Sequence, residues 1–354
     1  MKKILIQKNL RCQALPFDLN GKTQHLPRGR MITKKATFGG EMEIWYFETS
    51  AANYLMDHMT VEDAIATKAL QLKMGRDWRI SSVTLQEILM TADVERRENL
   101  IYFCQHLFGR ELLPSPPEII IDYIRQGMPR VENHRELISG SRFAEVWREL
   151  VDDTSREFQL DHKHILDSSR GIQDITKMVH AMVKHSADTT TSEKSVAELD
   201  SILSDYLKEL PFVKEGRTLN KSQELTHKVS LYFILTFLCS EIFLENEPIK
   251  QFWEKLGLEN ILCRLTYVVN ELPILVHRGP FLVMATMMIS QATTKKFPRG
   301  VWFDCLHSIY VSYADKLFTT DAHFQSLRES IPEPILQKRI HHMKEVILKK
   351  TTHE

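Results

Sequence analysis

Four acidic residues in this chain lie where a carboxylate can take part in chemistry. Glu48 ends a predicted strand, Glu87 follows a second, Asp321 follows a third, and Asp304 lies near the start of a predicted helix. Sites in parallel α/β sheets form beyond the carboxyl ends of the strands. We therefore expect Glu48, Glu87 and Asp321 to converge at that edge, where Asp304 can join them from its helix.

Carboxylates that share a cleft repel one another, and the repulsion opposes their ionisation. Divalent cations relieve it, and Mg²⁺ and Mn²⁺ prefer oxygen ligands. Such ions activate water and stabilise the leaving oxygen when a phosphodiester is hydrolysed. The pattern therefore predicts Mg²⁺- or Mn²⁺-dependent hydrolysis, with catalytic and metal-binding roles for Glu48, Glu87, Asp304 and Asp321.

The residues around these acids alternate between strand and helix patterns. Short apolar runs over residues 44–48 and 79–83 predict strands, and helical spacing follows each of them. Near the other acids the sequence predicts a helix over Val301–Tyr313, a strand over Lys316–Thr319 and a helix over residues 322–329. This order indicates an α/β fold with a mostly parallel sheet.

A long helical stretch separates the two α/β segments, and a basic helix is predicted over residues 336–350. The simplest interpretation is one α/β domain interrupted by a large all-helical insertion, because loops tolerate insertions. The predicted organisation is a basic N-terminal segment over 1–40, a first α/β part over 41–128, the helical insertion over 129–298, and a second α/β part with a C-terminal helix over 299–354.

The charge balance excludes a strongly basic or acidic protein as a whole. The 354 residues hold 46 Lys+Arg and 46 Asp+Glu, and the charged and hydrophobic fractions of 26% and 43% are those of a folded globular chain. Residues 1–40 hold nine basic residues and one acidic residue, a net charge of +8. That segment is either a solvated leader or a basic arm for phosphates.

Cysteine spacing and hydropathy indicate the cellular compartment of the protein. The five cysteines are widely spaced, with no Cys-x-x-Cys pair, which fits a reducing cytoplasm. The most apolar stretch, residues 231–244, is shorter than the roughly 20 residues that a membrane-spanning helix needs. We therefore expect a cytoplasmic protein with no membrane partner.

Four short motifs resemble those of the PIN-domain nucleases, in the same order. They are Phe-Glu-Thr-Ser-Ala over residues 47–51, Ser-Ser-Val-Thr-Leu-Gln-Glu over 81–87, Asp-Cys-Leu-His over 304–307, and Asp-x-Leu-x-Thr-x-Asp-x-x-Phe over 315–324. The last is the most specific. The resemblance covers about residues 42–125 and 299–330, a third of the chain.

This resemblance implies a three-layer α/β/α PIN-like domain, interrupted by the insertion, and a Mg²⁺- or Mn²⁺-dependent endoribonuclease. Its cut would leave a 5′-phosphate and a 3′-hydroxyl. The implied acidic set is again the four carboxylates, with Ser50 and Thr319 as supporting hydroxyls. Because many members are toxins of toxin–antitoxin pairs, the setting we expect is a toxin or an antiphage defence effector, with a protein inhibitor or regulator and a homo-oligomer as further partners.

RNA binding requires cations near the acidic set, since neutralised phosphates supply much of the affinity. Arg299 and Lys316 are the candidates, by their proximity in the sequence to Asp304 and Asp321. A DNA-directed, structure-specific nuclease is a weaker alternative with the same acids.

The family usually has Asp where this chain has Glu48, and the extra methylene shifts the carboxylate by more than about 1 Å, enough to disturb metal geometry. The alternative function is therefore a catalytically degenerate PIN-like module that binds RNA or a protein through the helical insertion.

Each acid also has a purely structural interpretation. Thr84 and Glu87 fit a capping box, Asp321 fits a helix N-cap, Asp304 suits the first turn of a helix, and Glu48 can simply end a strand. For His307, one turn beyond Asp304, packing is favoured over contact with a phosphate.

Overall fold

A computed structural model describes residues 42–109, 112–116, 118–120, 123, 163–188, 194–239, 247–258, 260–273, 276, 279–292 and 301–343. The predicted basic segment over residues 1–40 lies outside the described residues. Arg299 and residues 344–350 of the predicted C-terminal helix lie outside them as well.

Four strands form one parallel sheet in the described part of the chain. They are β1 (Glu43–Phe47), β2 (Arg76–Arg79), β3 (Lys316–Thr319) and β4 (Ile340–His342), in the order β2-β1-β3-β4. The central pair joins the two ends of the sequence, with Phe47 opposite Phe318. The predicted α/β class with a parallel sheet is therefore confirmed.

The helices with described bounds alternate with these strands and fill the region between β2 and β3. They are α1 (Thr49–His58), α2 (Val61–Lys73), α3 (Ser82–Leu89), α4 (Val94–Phe108), α5 (Lys163–Ala187), α6 (Lys194–Glu209), α7 (Pro211–Lys214), α8 (Lys221–Leu238), α9 (Glu247–Lys255), α10 (Ile261–Glu271), α11 (Pro280–Ala292), α12 (Val301–Tyr313), α13 (Ala322–Ser330) and α14 (Pro334–Gln337). No helix among the described residues combines the length and apolar character needed to cross a membrane.

Strand β1 is buried on both faces of the sheet. Its successive side chains point to opposite sides, and each side meets an apolar core. Trp45 and Phe47 of β1 pack in one apolar core with residues of α1, α2 and α4, whereas Tyr46 packs in a second core with residues of α11, α12 and α13. The run of three aromatic residues in β1 is therefore what a strand buried on both faces requires.

The helices between α4 and α12 share the core on the Tyr46 face. Val229 and Phe233 of α8 and Met287 of α11 belong to the same buried cluster as Tyr46 and Leu317. Every regular element described between residues 163 and 292 is a helix, as predicted. The helical region therefore supplies part of the packing under the sheet, while its predicted domain boundaries stay a prediction.

The second strand lies earlier than predicted. We expected it over residues 79–83, but β2 occupies Arg76–Arg79. Gly75 adopts a positive φ of 72°, which suits a residue without a Cβ, and so turns the chain from α2 directly into the strand. The hydroxyl of Ser81 then accepts the Thr84 N–H at 3.3 Å, so residues 82 and 83 begin a helix.

The prediction of one basic helix from residue 336 was wrong over residues 340–342, which form β4. Leu336, Ile340 and Met343 have helical spacing, but pairing with the open edge of β3 takes precedence. The Leu317 N–H donates to the Arg339 carbonyl at 2.7 Å, and Ile340 is buried. The Arg339 guanidinium donates to the carbonyls of Val311 and Ser312, which ties this segment to the end of α12.

Asp315 joins the start of β1 to the turn before β3, and we expect it to stabilise the fold. Its N–H donates to the Ile44 carbonyl at 2.9 Å, and its Oδ2 accepts the Ile44 N–H at 2.7 Å. Asp315→Ala leaves the Ile44 N–H without this partner, so the free energy of unfolding should fall by about 1–2 kcal/mol. Urea denaturation measures the change. Asp205→Ala, which removes an exposed pair with Lys208, is the control, and an equal loss in both variants would contradict the prediction.

Candidate functional site

The ends of β1 and β3 bring two of the predicted acids together. Glu48 directly follows β1, and its N–H donates to the Phe318 carbonyl at 3.2 Å, which continues the pairing past the last strand residue. Asp321 lies two residues beyond β3. The Ser50 hydroxyl joins the two segments, because it donates to the Glu48 carboxylate and accepts the Thr320 N–H at 2.9 Å.

Two helices contribute the other acids. Glu87 lies in α3, and its Oε2 accepts hydrogen bonds from the Thr49 hydroxyl and from His307 Nε2, the latter at 2.6 Å. Asp304 lies in the first turn of α12, one turn before His307, and its Oδ2 is 3.0 Å from His323 Nδ1. The four acids therefore lie around one end of the sheet, each paired with a histidine or a hydroxyl.

Glu48, Glu87 and His307 form an inner group, with one ligating atom from each lying within 4.8 Å of the others. The exposed fractions are 4% for Glu48, 1% for the His307 side chain and 24% for the Glu87 side chain. The Glu48 carboxylate accepts the N–H groups of Ser50 and Ala51 at 2.8 and 3.2 Å, and so caps the N-terminus of α1.

His307 is held at both ring nitrogens. Nδ1 is hydrogen-bonded to the Tyr46 hydroxyl, and Nε2 to Glu87. The same Tyr46 hydroxyl lies 2.9 Å from the Ser81 hydroxyl and 3.2 Å from that of Thr84. His307 therefore connects the buried face of the sheet to the acidic site, which is more than the packing role that the sequence favoured.

Asp304, Asp321 and His323 form an outer group, again with one ligating atom each within 4.8 Å. His323 Nδ1 is 3.0 Å from Asp304 Oδ2 and 3.5 Å from Asp321 Oδ1. The exposed side-chain fractions are 15% for Asp304, 35% for Asp321 and 38% for His323. A solute can therefore reach the outer group more easily than the inner one.

Burial and mutual repulsion raise the pKa of two of the acids. Burial raises the pKa of Asp304 to about 6, with the negative charge of Asp321 adding to the shift and His323 opposing it. Burial also raises the pKa of Glu48, against the opposing charge of His307 and the hydrogen bonds from Ser50. The sequence-based expectation that clustered carboxylates resist ionisation therefore holds for these two.

Glu87 and His307 behave differently, because each stabilises the charged form of the other. Burial raises the pKa of Glu87, but the hydrogen bond and charge of His307 and the bond from Thr49 outweigh it, and the pKa is lowered overall. For His307, burial lowers the pKa, but Glu87 outweighs burial and raises it overall. Glu48 and Asp304 also raise the pKa of His307, so the inner and outer groups act on each other electrostatically.

The predicted supporting hydroxyls both lie at this end of the sheet. Ser50 bridges the segments after β1 and β3, and the buried Thr319 hydroxyl accepts the Asp321 N–H at 2.9 Å. The predicted RNA-binding residue Lys316 is not placed there. Lys316 begins β3, at the opposite end of that strand from Asp321, with its ammonium 3.7 Å from Glu43 and over the Trp45 ring, and Arg299 lies outside the described residues.

The observed helix bounds test two of the purely structural interpretations of the acids, the capping box of Glu87 and the N-cap role of Asp321. The capping box of Thr84 and Glu87 was wrong, because α3 begins after Ser81, and Glu87 lies near the end of that helix. The N-cap role of Asp321 is confirmed, since its Oδ1 accepts the His323 N–H at 2.7 Å.

Sequence reasoning missed His323 and favoured only a packing role for His307. His307 stands three residues after Asp304 in α12, and His323 stands two residues after Asp321, the N-cap of α13. A histidine close in sequence to each of these two acids was the available signal, although two residues alone are weak grounds for a site.

The donor set suits a divalent metal ion. Each group offers two carboxylates and one imidazole, and carboxylate oxygens and imidazole nitrogens are the common protein ligands of divalent ions. The described residues can therefore hold a metal ion, as predicted, although the structure does not identify the metal.

Comparison of the chain with protein-family models, with curated proteins and with solved structures finds no match.

The raised pKa of Asp304 predicts that this acid destabilises the folded chain when no metal is bound. Its pKa of about 6 exceeds the roughly 3.9 of an unfolded aspartate, so ionisation opposes folding as the pH rises through this range. In EDTA, Asp304→Asn should raise the free energy of unfolding by roughly 1–3 kcal/mol at about pH 7.5, and by about half as much at pH 5.

Urea denaturation at the two pH values measures this effect. Asp93→Asn, which removes a carboxylate that caps α4, is the control for the loss of a helix-terminal charge. If Asp304→Asn proved less stable than the parent at the higher pH, the proposed cost of ionising Asp304 would be refuted.

Proposed function

We propose that this chain is a PIN-like, metal-dependent nuclease that hydrolyses phosphodiester bonds in RNA. The observation that carries the proposal is that folding brings Glu48 and Glu87 into one group and Asp304 and Asp321 into a second, close to the carboxyl ends of β1 and β3. Only folding brings these acids together, because the first two are more than 200 residues from the last two in the sequence.

The arrangement supports the family resemblance in two further respects. The strands are parallel, and helices cover both faces of the sheet, which is the layering that the PIN-like assignment requires. The acids of the four motifs lie after β1, in α3, at the start of α12 and after β3, which is the strand and helix order that the resemblance implies. These features support a PIN-like site.

In the proposed reaction, Mg²⁺ or Mn²⁺ would supply charge stabilisation at the phosphate and lower the pKa of water. The chain's own residues would hold the ion and set its position. Asp304 and Asp321 reach solvent, Ser50 and Thr319 fix the loops that carry the acids, and the pair of Glu87 and His307 fixes α3 against α12. Hydrolysis would leave a 5′-phosphate and a 3′-hydroxyl.

The biological setting is part of the same proposal. The substrate would be RNA in the cytoplasm, with the basic segment 1–40 and Arg299 neutralising phosphates. The protein would act as a toxin or an antiphage effector, held in check by a protein inhibitor or regulator, and it would form a homo-oligomer. The large helical region offers the surface for such partners.

Cleavage of labelled single-stranded RNA in Mn²⁺ tests the function. We expect Asp321→Asn to lower the rate by about 100-fold or more, since losing one preorganised charged group has an effect of this order. Asparagine is an equally good N-cap, so α13 should remain intact. EDTA should abolish cleavage in the parent protein.

Asp93→Asn is the matched control, because Asp93 also caps a helix through its carboxylate, at the start of α4. It should cleave at the parent rate. Cleavage that survives both EDTA and Asp321→Asn would refute the proposal, and a panel of DNA substrates separates an RNA nuclease from a DNA-directed one.

The burial and hydrogen bonding of Glu48 favour a second candidate function. Its carboxylate is almost fully buried and accepts three hydrogen bonds from Ser50 and Ala51, so the chain itself uses the acid as a helix cap. This favours a degenerate PIN-like module that binds RNA or a protein partner. Calorimetry that shows RNA binding without Mn²⁺ uptake would support it, and a large gain in cleavage by Glu48→Asp would show a nuclease with an attenuated site.

A further inference from the structure

We propose that the outer group, Asp304, Asp321 and His323, is the metal-binding centre, with His323 Nδ1 as a direct ligand, and that the inner group binds no metal. This inference rests on the proposed function for its biological purpose. The binding that it predicts can be measured without any cleavage.

The distances in the outer group match those between ligands of one ion. His323 Nδ1 is 3.0 Å from Asp304 Oδ2 and 3.5 Å from Asp321 Oδ1. Around an ion with bonds of about 2.1 Å, neighbouring ligands lie about 3.0 Å apart in an octahedron and about 3.4 Å apart in a tetrahedron. An ion can therefore replace the direct contacts between these side chains with little movement of the backbone.

The outer group is also positioned by the fold. The His323 N–H donates to Asp321 Oδ1 at 2.7 Å, which fixes the acid and the histidine relative to each other in the first turn of α13. Thr319 holds the Asp321 N–H at 2.9 Å, and Asp304 lies in the first turn of α12. All three side chains are partly exposed, so an ion can enter from solvent.

The ligating atoms of Glu48 and His307 in the inner group are already used within the protein. The Glu48 oxygens accept the Ser50 and Ala51 hydrogen bonds, and both His307 nitrogens are engaged, by Tyr46 and by Glu87. An ion in the inner group would have to break hydrogen bonds in a buried setting, where leaving a polar group unpaired is unfavourable. The inner group is thus better suited to hold α1, α3 and α12 in place around the ion.

A nitrogen ligand has consequences for the choice of metal. Imidazole is a common ligand of transition metals such as Fe²⁺, Ni²⁺ and Zn²⁺, whereas Mg²⁺ binds mainly oxygen. With two carboxylates and His323, the site should prefer Mn²⁺ to Mg²⁺. An all-carboxylate set would lack this preference.

Pulsed electron paramagnetic resonance of bound Mn²⁺ tests the inference, because it detects hyperfine coupling to a directly bound nitrogen. We expect this coupling in the parent protein and its loss in His323→Gln, together with a fall in Mn²⁺ affinity of about tenfold or more. His323→Asp should restore Mn²⁺ binding without the nitrogen signal and should lower the ratio of Mn²⁺ to Mg²⁺ affinity. His58→Gln, on the surface of α1, is the matched control and should leave the spectrum unchanged.

Three outcomes would overturn the inference: no Mn²⁺ binding by the parent protein, bound Mn²⁺ with no nitrogen coupling, or coupling that persists in folded His323→Gln. Loss of coupling in His307→Gln with retention in His323→Gln would place the ion in the inner group. Circular dichroism checks the folding of each variant. A parent protein that shows the His323 signal but cleaves no nucleic acid would refute the proposed function and leave this inference standing.

Discussion

The parallel pairing of β1 with β3 is the constraint on which the candidate site depends. Their register places Phe47 opposite Phe318, so both strands end at nearly the same level. Each then leads into a helix capped by an acid, Glu48 for α1 and Asp321 for α13. Helix N-termini favour negative charge, so the fold stabilises acids at the point where they also approach one another.

The two groups differ in how far the protein itself compensates their charge. Glu87 and His307 stabilise each other as an ion pair, and Glu48 is satisfied by the first turn of α1. Asp304 retains a pKa raised to about 6, because burial and Asp321 outweigh the help that it receives from His323. The inner group is thus better compensated by its own contacts, although burial still raises the pKa of Glu48, whereas the outer group has negative charge that an added cation would relieve.

The two central strands, β1 and β3, could be predicted from sequence, because they have strong local signals. The aromatic run before Glu48 and the Lys316–Thr319 segment lie close to their predicted places, and the predicted helix over Val301–Tyr313 has the observed bounds. β4 could not be predicted, since residues 340–342 have helical spacing and form a strand only through pairing with β3. The contacts of the histidines could not be predicted for a similar reason. Only the tertiary structure shows that His307 contacts Glu87 and that His323 contacts Asp304.

The arrangement of β1 and β3 has a consequence during synthesis of the chain. Glu48 and Glu87 leave the ribosome long before Asp304, Asp321 and the strand that must pair with β1. Pairing between segments so distant in sequence has a high contact order and forms late in folding. A nascent chain therefore carries only half of the acids while the helical region is made. Any activity that needs all four is withheld until translation has passed β3.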